Sequence, residues 1–543
     1  MKIKENVIAF LILGLLVIAG TGIRVINLDR ASFWVDEVNS VFAAQSLNET
    51  GADRLPSGYL YGRARIYTAI VAVSLQLFGE NEVAARMPSV LFGVLSILLA
   101  YGLARIWFDT RTALIMAFFM AFSHFEVGWS RTARMYTLLQ FMTLWITYCY
   151  VRGFKENQAP GKSDPSDQFK PGSVSILWLI LLVVMIALSA LFVHSITTLL
   201  IPGFTVYMLV QSGIHLFKSE GRSRWFNPYT VSLIAGGLIG GAVLLAVPWI
   251  RATAFQSFAY TPAWASGSAY AARKTALLEF LLSQWRMPIT VFAFLGGFQL
   301  ITRKHLPGWL PASLFLAPFV LLSLVFTHRV EAYLFFVYPF FLMIAAYGLS
   351  NWINAEQGHL PIVQRLGAGG NRFLLIGMVL LLFVLFPWIR VTLNIPRLPD
   401  GITNLAVTPE EWRGACQKVL SQKESEDLII TSLPQVALYY GIASDYGLNQ
   451  VNLEQAQSKK LVNGAGQWID LYAGVPCVIS FEALQSLVAE HPSGWLLISD
   501  FHFHHTQYIP AVVRTYIEEH FSTPWMTPQG TVRVYHWKSG GED

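Results

Sequence analysis

The sequence predicts a polytopic α-helical membrane protein of about eleven transmembrane helices, with a soluble α/β domain at its C-terminal end. Of its 543 residues, 54% are hydrophobic and only 13% are charged. An average soluble protein carries about 25% charged residues. Long apolar runs recur up to about residue 395, and beyond that point charges, Pro and Asn return. The net charge of +5 is too small to indicate a nucleic-acid partner.

The apolar runs are long enough, or nearly so, to cross a bilayer. They lie near residues 7–27, 86–107, 112–128, 134–152, 174–193, 197–215, 230–250, 287–302, 308–327, 333–353 and 373–393. The first run could be a cleaved signal peptide, but its length favours a retained anchor. The segment from Tyr59 to Phe78 mixes apolar residues with Arg63, Arg65 and Gln76, which predicts an interfacial helix rather than a span.

Lysine predicts the orientation, because positive charge is enriched on the cytoplasmic side of membrane proteins. One side of the predicted topology carries Lys2, Lys4, Lys155, Lys162, Lys170, Lys218 and Lys304. Among the membrane loops of the other side, only one lysine occurs, Lys274. We therefore expect a cytoplasmic N-terminus in a cell (inner or plasma) membrane. The odd number of spans then places the C-terminal domain outside the cytoplasm. A Pro- and Gly-containing stretch over 153–172 is predicted to be a cytoplasmic loop.

Residues 395–543 alternate between helix and strand signals, which is typical of a small α/β domain. One helix is predicted from Pro409 through Leu420 and another from Val512 to His520. Strands are predicted over 427–431, 495–499 and 531–535. Cys416 and Cys477 could form a disulfide if this domain is exported, or could remain unpaired. Asp500, His502 and His504 would share one face of a strand, where they could bind a metal or simply form a solvated polar face.

Two adjacent carboxylates, Asp36 and Glu37, follow the first apolar run by about ten residues. Carboxylates at a membrane surface could act as a base on a lipid-borne substrate or as ligands of a divalent cation. The structural alternatives are that Asp36 caps a helix running to Leu47 and that Glu37 complements the positive end of that helix. Metal dependence stays open.

Arginine, unlike lysine, is frequent in the predicted outer loops. Phosphate binding would explain this, since guanidinium grips phosphate in a bidentate way; contact with lipid headgroups is the alternative. The residues predicted to bind a donor phosphate are Arg63, Arg65, Arg131, Arg134, Tyr136 and Arg329. Glu82 and Arg86 are spaced for an ion pair along a helix. Glu126 and His194, at outer ends of predicted spans, are further candidates for the site.

Several segments carry a resemblance to a known family. They are the Asp36-Glu37 pair in a long first outer loop, Leu77-Phe78-Gly79-Glu80-Asn81-Glu82-Val83-Ala84-Ala85-Arg86-Met87-Pro88-Ser89, Ser130-Arg131-Thr132-Ala133-Arg134-Met135-Tyr136-Thr137-Leu138-Leu139, and Arg329-Val330-Glu331-Ala332-Tyr333 followed by Pro339. In this order they resemble the GT-C superfamily of membrane glycosyltransferases, and within it glycosyltransferase family 39, the protein O-mannosyltransferase and aminoarabinose-transferase type. The resemblance covers roughly residues 1–395.

This resemblance implies a GT-C-like domain over 1–394, with a catalytic first outer loop at 28–85, ahead of the α/β domain at 395–543. It implies a polyprenyl-phosphate sugar donor, an inverting transfer with Asp36 as general base, and Tyr333 near the site. Many relatives carry a His-Pro pair where this chain has Arg63 and Arg65, which leaves the subfamily open. The Trp-Trp-Asp motif of oligosaccharyltransferases is absent, which argues against whole-oligosaccharide transfer to asparagine.

We therefore expect a glycosyltransferase that uses a lipid-phosphate sugar and a glycan, lipid or protein acceptor. A transporter or flippase of lipid-linked glycans is one alternative, but it would favour charges within the spans and repeat symmetry. A glycan polymerase or ligase is another, and it would not need the early Asp-Glu pair. No cofactor other than a divalent cation is suggested.

Overall fold

The computed structural model describes residues 2–154, 174–218, 227–246, 273–283, 286–326, 329–355 and 410–538. The chain forms two compact units. The first comprises Met1–Ile26, Ser89–Arg131 and Met135–Ile395, and the second comprises Asn27–Pro88, Thr132–Arg134 and Pro396–Asp543. The predicted span at 373–393, the boundary at 395 and all but the first two residues of the loop at 153–172 lie outside the described residues.

Up to residue 355 the described chain is helical. The helices are α1 (Lys2–Val25), α2 (Val35–Thr50), α3 (Arg65–Phe78), α4 (Glu82–Trp107), α5 (Thr110–Phe122), α6 (His124–Ser130), α7 (Tyr136–Gly153), α8 (Ile176–Phe192), α9 (Leu200–Lys218), α10 (Pro228–Ala246), α11 (Ala276–Leu282), α12 (Met287–Thr302), α13 (Trp309–Leu324) and α14 (Tyr338–Ala355). Short 3₁₀ turns cover Ser195–Leu199, Leu306–Gly308 and Glu331–Leu334.

The helices confirm a multi-pass membrane protein, but not the count of eleven spans. Within the described residues, four helices are long and apolar enough to cross a membrane: Asn6–Val25, Glu82–Trp107, Ser195–Phe217 and Leu306–Leu324. The predicted third span is not one continuous helix, because α5 and α6 meet at an angle of 53°. The predicted interfacial helix begins at Arg65, later than expected, since residues 59–64 are not helical.

Helices α12 and α14 cross closely because glycines face each other at the contact. A Cβ added at Gly296 would lie 2.1 Å from the Ile344 carbonyl oxygen, and one added at Gly348 would lie 2.1 Å from that of Phe292. Small residues allow such close backbone approach between helices in membranes, where packing rather than water exclusion drives association.

Helix α4 continues through Pro88, although proline lacks the N–H that would bond to the carbonyl of Ala84. The hydroxyl of Ser74, on α3, donates to that Ala84 carbonyl at 2.6 Å. A freed buried carbonyl is costly without a partner. Ser74 therefore satisfies the acceptor that Pro88 leaves open and ties α3 to the start of α4.

The C-terminal part of the second unit is an α/β structure. Its strands β1 (Leu428–Thr431), β2 (Tyr446–Gly447), β3 (Ser493–Ser499), β4 (Trp525–Met526) and β5 (Val532–Lys538) form a sheet of order β2-β1-β3-β5-β4. Strand β1 is parallel to β2 and β3, whereas β5 is antiparallel to β3 and β4. The helices are α15 (Trp412–Leu420), α16 (Pro434–Tyr439), α17 (Gln450–Lys459), α18 (Phe481–Glu490), α19 (Asp500–His504) and α20 (Ala511–His520).

This sheet contains the strands predicted at 427–431, 495–499 and 531–535, and α15 and α20 match the predicted helices. Leu428, Ile430, Leu496 and Ile498 are buried in one hydrophobic core with helix residues such as Ile517. Continuous burial of β1 and β3 explains why both read as unbroken apolar runs. The two-residue strands β2 and β4 were too short to give a pattern.

Candidate active site

Asp36 lies in the first turn of α2, whose N-cap residue is Trp34. The alternative that Asp36 caps this helix is therefore wrong, and its carboxylate is available to other partners. The side chain is 33% exposed. Its backbone carbonyl, and not its carboxylate, accepts a hydrogen bond from Ser40 Oγ of the same helix, at 3.0 Å. Asp36 thus lies in the first turn of α2 with its carboxylate partly exposed to solvent.

Glu37, the next residue, is buried and uses both carboxylate oxygens. Oε1 accepts from Arg86 Nε at 2.9 Å and from the backbone N–H of Ala133 at 2.7 Å. Oε2 accepts from Arg86 Nη2 at 2.9 Å and from the backbone N–H of Trp34 at 3.1 Å. Two carboxylate oxygens offer about four lone-pair sites, so these bonds fill them. The contacts favour the structural alternative for Glu37, and its catalytic role stays a prediction.

Arg86 completes this arrangement, which we call the Glu37–Arg86 clamp. Besides Glu37, its guanidinium donates to the carbonyls of Leu28 at 2.7 Å, Ala31 at 2.9 Å and Ser32 at 3.3 Å. Arg86 therefore ties the start of the first loop, residues 28–32, to the first turn of α2. Its bidentate contact with a carboxylate is one that lysine cannot reproduce.

The predicted ion pair between Glu82 and Arg86 is wrong. Glu82 instead pairs with Arg413, and it accepts from the hydroxyl of Tyr440 at 3.1 Å. That hydroxyl also accepts from the backbone N–H of Phe33 at 2.6 Å. Burial raises the pKa of Tyr440, so the hydroxyl remains a donor at neutral pH. No local sequence signal could reveal this contact, because Glu82 and Arg413 are 331 residues apart.

Arg134 is the partner of the Asp36 carboxylate. Its Nη2 lies 3.1 Å from Asp36 Oδ2, and its side chain is only 5% exposed. Nη1 donates to the hydroxyl of Tyr61 at 3.1 Å and to Ser40 Oγ at 3.4 Å. Within the described residues, Asp36 Oδ1 receives no hydrogen bond. One oxygen is therefore held in place, while the other is free to accept a proton.

Arg63 lies near enough to Asp36 for the carboxylate charge to act on it, Tyr61 and Tyr472 are also among its neighbours, and the residue is exposed. Burial raises the pKa of Tyr472, which keeps this hydroxyl protonated. Arg65, also exposed, begins α3. The structure thus brings together three of the predicted residues, Asp36, Arg63 and Arg134. It adds Tyr61 and Tyr472, which no motif singled out.

Within the first unit, Glu126 is fully buried on α6. Oε1 accepts from Gln140 Nε2 at 2.9 Å, whereas Oε2 has no hydrogen-bond partner among the described residues. A neighbouring arginine that the sequence did not single out, Arg24, donates to the carbonyls of Gly20, Met120 and Ala121, each at 2.8 Å. Arg24 therefore binds the end of α1 to the end of α5.

Three other predicted residues of the first unit meet as an aromatic cluster. The ring of His194 lies 6.4 Å from that of Tyr136 and 5.7 Å from that of Tyr333. His194 Nδ1 also accepts from the backbone N–H of Ile196 at 3.2 Å, where it caps a 3₁₀ turn. This contact favours the structural alternative for the histidine, but leaves its ring beside two tyrosines.

The remaining predicted arginines of the first unit bind backbone carbonyls. Arg131 Nη1 donates to the carbonyls of Ile23, Arg24 and Ile26, at 2.7 to 3.1 Å. Cationic groups are stabilising at a helix C-terminus, and here Arg131 caps that of α1. Arg329 is buried, and its Nε donates to the Ser323 carbonyl at 2.8 Å.

The C-terminal residues considered as a metal site do not form one. Asp500, His502 and His504 lie on helix α19 rather than a strand, so alternate residues do not share a face. Asp500 pairs with Arg533 Nε at 2.8 Å, and burial lowers the pKa of His502 to about 3. Cys416 and Cys477 are both buried and free, so the disulfide alternative is not realised.

Sequence comparison with known proteins gives one family match. The family model of dolichyl-phosphate-mannose-protein mannosyltransferases matches residues 64–161. No curated protein sequence matches the chain. The family match covers under a fifth of the chain, whereas the structural likeness described next covers nearly all of it.

The fold is similar to that of ArnT from Cupriavidus metallidurans bound to undecaprenyl phosphate, with a TM-score of 0.57 and 15% identity over 97% of this chain and 99% of that one. It is also similar to the Archaeoglobus fulgidus oligosaccharyltransferase in the apo form, with a TM-score of 0.52 and 12% identity over 97% of this chain and 74% of that one. AglB from the same organism, in complex with an inhibitory peptide and a dolichol-phosphate, gives 0.53 at 10% identity, over 97% and 74%.

Proposed function

We propose that this multi-pass membrane protein, which resembles the GT-C glycosyltransferases in motif order and in fold, transfers a sugar from a polyprenyl-phosphate donor to an acceptor hydroxyl. The observation that carries the proposal is the state of the Asp36 carboxylate. One oxygen is oriented by Arg134, and the other accepts no hydrogen bond from the described residues. The acceptor would be a glycan, lipid or protein, and the sugar a hexose or pentose.

Asp36 would act as the general base of an inverting transfer. The acceptor oxygen attacks the anomeric carbon, its proton passes to Asp36, and the bond between that carbon and the phosphate oxygen breaks. A single displacement of this kind needs a base on one face of the sugar and stabilisation of the leaving group on the other. Polyprenyl phosphate is already anionic, so its departure needs cations rather than a carboxylic acid.

Arg63 is the arginine that we favour for the donor phosphate, because the residue is exposed and lies near enough to Asp36 for the two charges to interact. Arg134 would orient Asp36, and because its side chain is only 5% exposed and already bonds to Tyr61 and Ser40, it is a weaker candidate than Arg63 for the donor phosphate. Arg65 is exposed nearby in sequence and stays a candidate. The carbonyl contacts of Arg131 and Arg329 make these two weaker candidates than their sequence positions suggested.

A divalent cation held by Asp36 and Glu37 is not supported by the donor set. Both oxygens of Glu37 are occupied by four hydrogen bonds from the protein. In the described part of the chain, no group of three or more His, Cys, Asp or Glu side chains is arranged to bind a metal. No step of the proposed reaction is therefore routed through a metal.

The orientation is proposed from lysine alone. The N-terminus would be cytoplasmic, and the second unit, with Asp36 and residues 410–538, would face the outside. A polyprenyl-phosphate sugar presented at the outer leaflet would then be within reach of Asp36.

The test compares Asp36→Asn with Glu49→Gln in purified protein supplied with a panel of polyprenyl-phosphate sugars. Glu49 is an exposed carboxylate on the same helix and serves as the matched control. We expect Asp36→Asn to fold but to lose turnover by about 10²–10⁴-fold, the range for a general base, and Glu49→Gln to retain it. Release of polyprenyl phosphate and the anomeric configuration of the product are measured. Near-normal turnover of Asp36→Asn would refute the assignment of Asp36 as base. If the wild-type protein moved the lipid-linked sugar across the membrane of vesicles without releasing polyprenyl phosphate, the result would favour a flippase.

A further inference from the structure

A tight turn at residues 470–474 is built around one buried carboxylate. Asp470 is fully buried, and its Oδ1 accepts from the backbone N–H groups of Tyr472 at 2.9 Å and Ala473 at 2.6 Å. Its Oδ2 accepts from Asn452 Nδ2 at 2.6 Å. Every oxygen of this side chain is thus held by the protein, so the turn has a defined shape rather than that of a solvated loop.

This turn contacts residues 55–61, the part of the first loop that ends at Tyr61. The N–H of Ser57 donates to the Tyr472 carbonyl at 3.2 Å, and its hydroxyl donates to the Leu471 carbonyl at 2.5 Å. Nearby, Lys459 Nζ donates to the hydroxyl of Tyr59 at 2.9 Å. The two segments are 414 residues apart in sequence and are joined by backbone as well as side-chain bonds.

The approach is closest at Gly474, which has a φ of +77°. A Cβ added there would lie 2.9 Å from the Cα of Ser57, a distance that real Cβ atoms do not reach. The last residue of loop 55–61 is Tyr61, whose hydroxyl accepts a hydrogen bond from Arg134. Arg134 in turn forms an ion pair with the Asp36 carboxylate. A continuous chain of contacts therefore runs from the turn to the base.

We propose that the turn 470–474 is a positioning element for transfer, which holds loop 55–61 so that Tyr61 keeps Arg134 directed at Asp36. The inference rests on the proposed function of Asp36. It assigns to the C-terminal part of the chain a role in turnover that the motifs of the first loop do not reveal. Tyr61 and the turn act through Arg134, so both are positioning residues rather than groups that touch the reacting atoms.

Gly474→Ala tests this role in the full-length protein, with Gly466→Ala as the matched control. Gly466 has nearly the same φ, +78°, but a Cβ there meets nothing within 4 Å. Both variants carry similar backbone strain, so their difference reports the contact with Ser57. We expect Gly474→Ala to speed hydrogen–deuterium exchange of residues 52–62 and to lower kcat by about 10–100-fold, with a smaller change in the donor KM. Gly466→Ala should leave both near wild type.

Tyr61→Phe removes the hydroxyl and keeps the ring, and it tests the route. If the turn acts through Tyr61, then Gly474→Ala should lower kcat far less in the Tyr61→Phe background than alone. Ser57→Ala, a milder change, should shift exchange and kcat in the same direction. Two results would overturn the positioning role while leaving Asp36 as base. One is unchanged exchange in Gly474→Ala; the other is faster exchange in Gly474→Ala together with a kcat equal to that of the Gly466→Ala control. A wild-type protein that transfers no sugar would instead overturn the proposed function, and the role in transfer with it.

Discussion

Arg86→Ala would remove five hydrogen bonds of the Glu37–Arg86 clamp in one step. The buried Glu37 carboxylate would lose two of its four donors. The carbonyls of Leu28, Ala31 and Ser32 would lose their bonds to the guanidinium. Removing one partner of a buried ion pair typically costs about 3–5 kcal/mol, because the other charge stays buried without compensation. We expect the loop at 28–34 and the first turn of α2 to open far more often.

Hydrogen–deuterium exchange of the full-length protein measures this opening. A loss of about 3–5 kcal/mol in the free energy of opening corresponds to about 10²–10⁴-fold faster exchange, at roughly 1.4 kcal/mol per tenfold. The effect should be confined to peptides that cover residues 28–50. Arg65→Ala is the control, since Arg65 is exposed and exposed substitutions usually stay within about 0.5 kcal/mol.

A double variant, Arg86→Met with Glu37→Leu, separates the ion pair from the carbonyl contacts. Replacing both ions of a buried pair by apolar residues is often neutral. Here the three loop carbonyls would still lack a donor, and the N–H groups of Trp34 and Ala133 would lose their acceptor, at about 1–3 kcal/mol for each buried unsatisfied group. The double variant should therefore stay faster in exchange than wild type. Exchange in Arg86→Ala within twofold of the Arg65→Ala control would refute the clamp. Full recovery in the double variant would refute a role for the backbone contacts of the clamp, which are those of the three carbonyls and of the N–H groups of Trp34 and Ala133.

Further predictions concern the arginines, the buried acid and the topology. Arg63→Ala should lower both kcat and donor affinity, and Arg134→Ala should lower kcat because Asp36 loses its partner. Lys should rescue either variant poorly because it lacks the planar fork; full turnover of both Ala variants at saturating donor would contradict this. Burial raises the pKa of Asp470 to about 6, from 3.8 in the unfolded chain, so the native state binds this proton more tightly than the unfolded state does. The free energy of unfolding should therefore fall by about 3 kcal/mol as the pH rises from about 4 to about 6. Asp470→Asn should remove that part of the pH dependence, measured as the difference between its melting curves and those of wild type, and parallel pH profiles would contradict the assignment. A cysteine at Ser425, which is exposed, should react with a membrane-impermeant reagent in intact cells or spheroplasts; reaction only after lysis would reverse the proposed orientation.

The elements that the sequence predicted well are those with a local signal. Apolar length predicted helices such as α1 and α4, because burying backbone in lipid requires long apolar helices. The burial of β1 and β3 was equally visible as short apolar runs. The resemblance to GT-C glycosyltransferases followed from motif order and is confirmed by the family model and the fold. The break between α5 and α6 at Ser123 was missed, because the apolar run continues across it.

The candidate site divides in the same way. Adjacent carboxylates in the first loop singled out Asp36 and Glu37 from sequence, and outer arginines singled out Arg63 and Arg134. Only the tertiary structure separated the two acids, since Glu37 is buried against Arg86 while Asp36 keeps one oxygen open. The helical spacing of Glu82 and Arg86 predicted an ion pair. The Arg86 guanidinium has five N–H donors, however, and it bonds to Glu37 and to three carbonyls of the first loop instead.

Composition and apolar length by themselves predicted a membrane protein, motif order carried the resemblance to the GT-C fold, and the sequence of the first loop showed its acidic pair. Partners distant in sequence were decided by packing alone: Glu82 with Arg413, Ser57 with Leu471, and Arg134 with Tyr61. The physical reason is the range of each signal. Helix and strand periodicity reflects contacts within a few residues, whereas a hydrogen bond between buried groups depends on where the whole backbone places them, and no local pattern encodes that position.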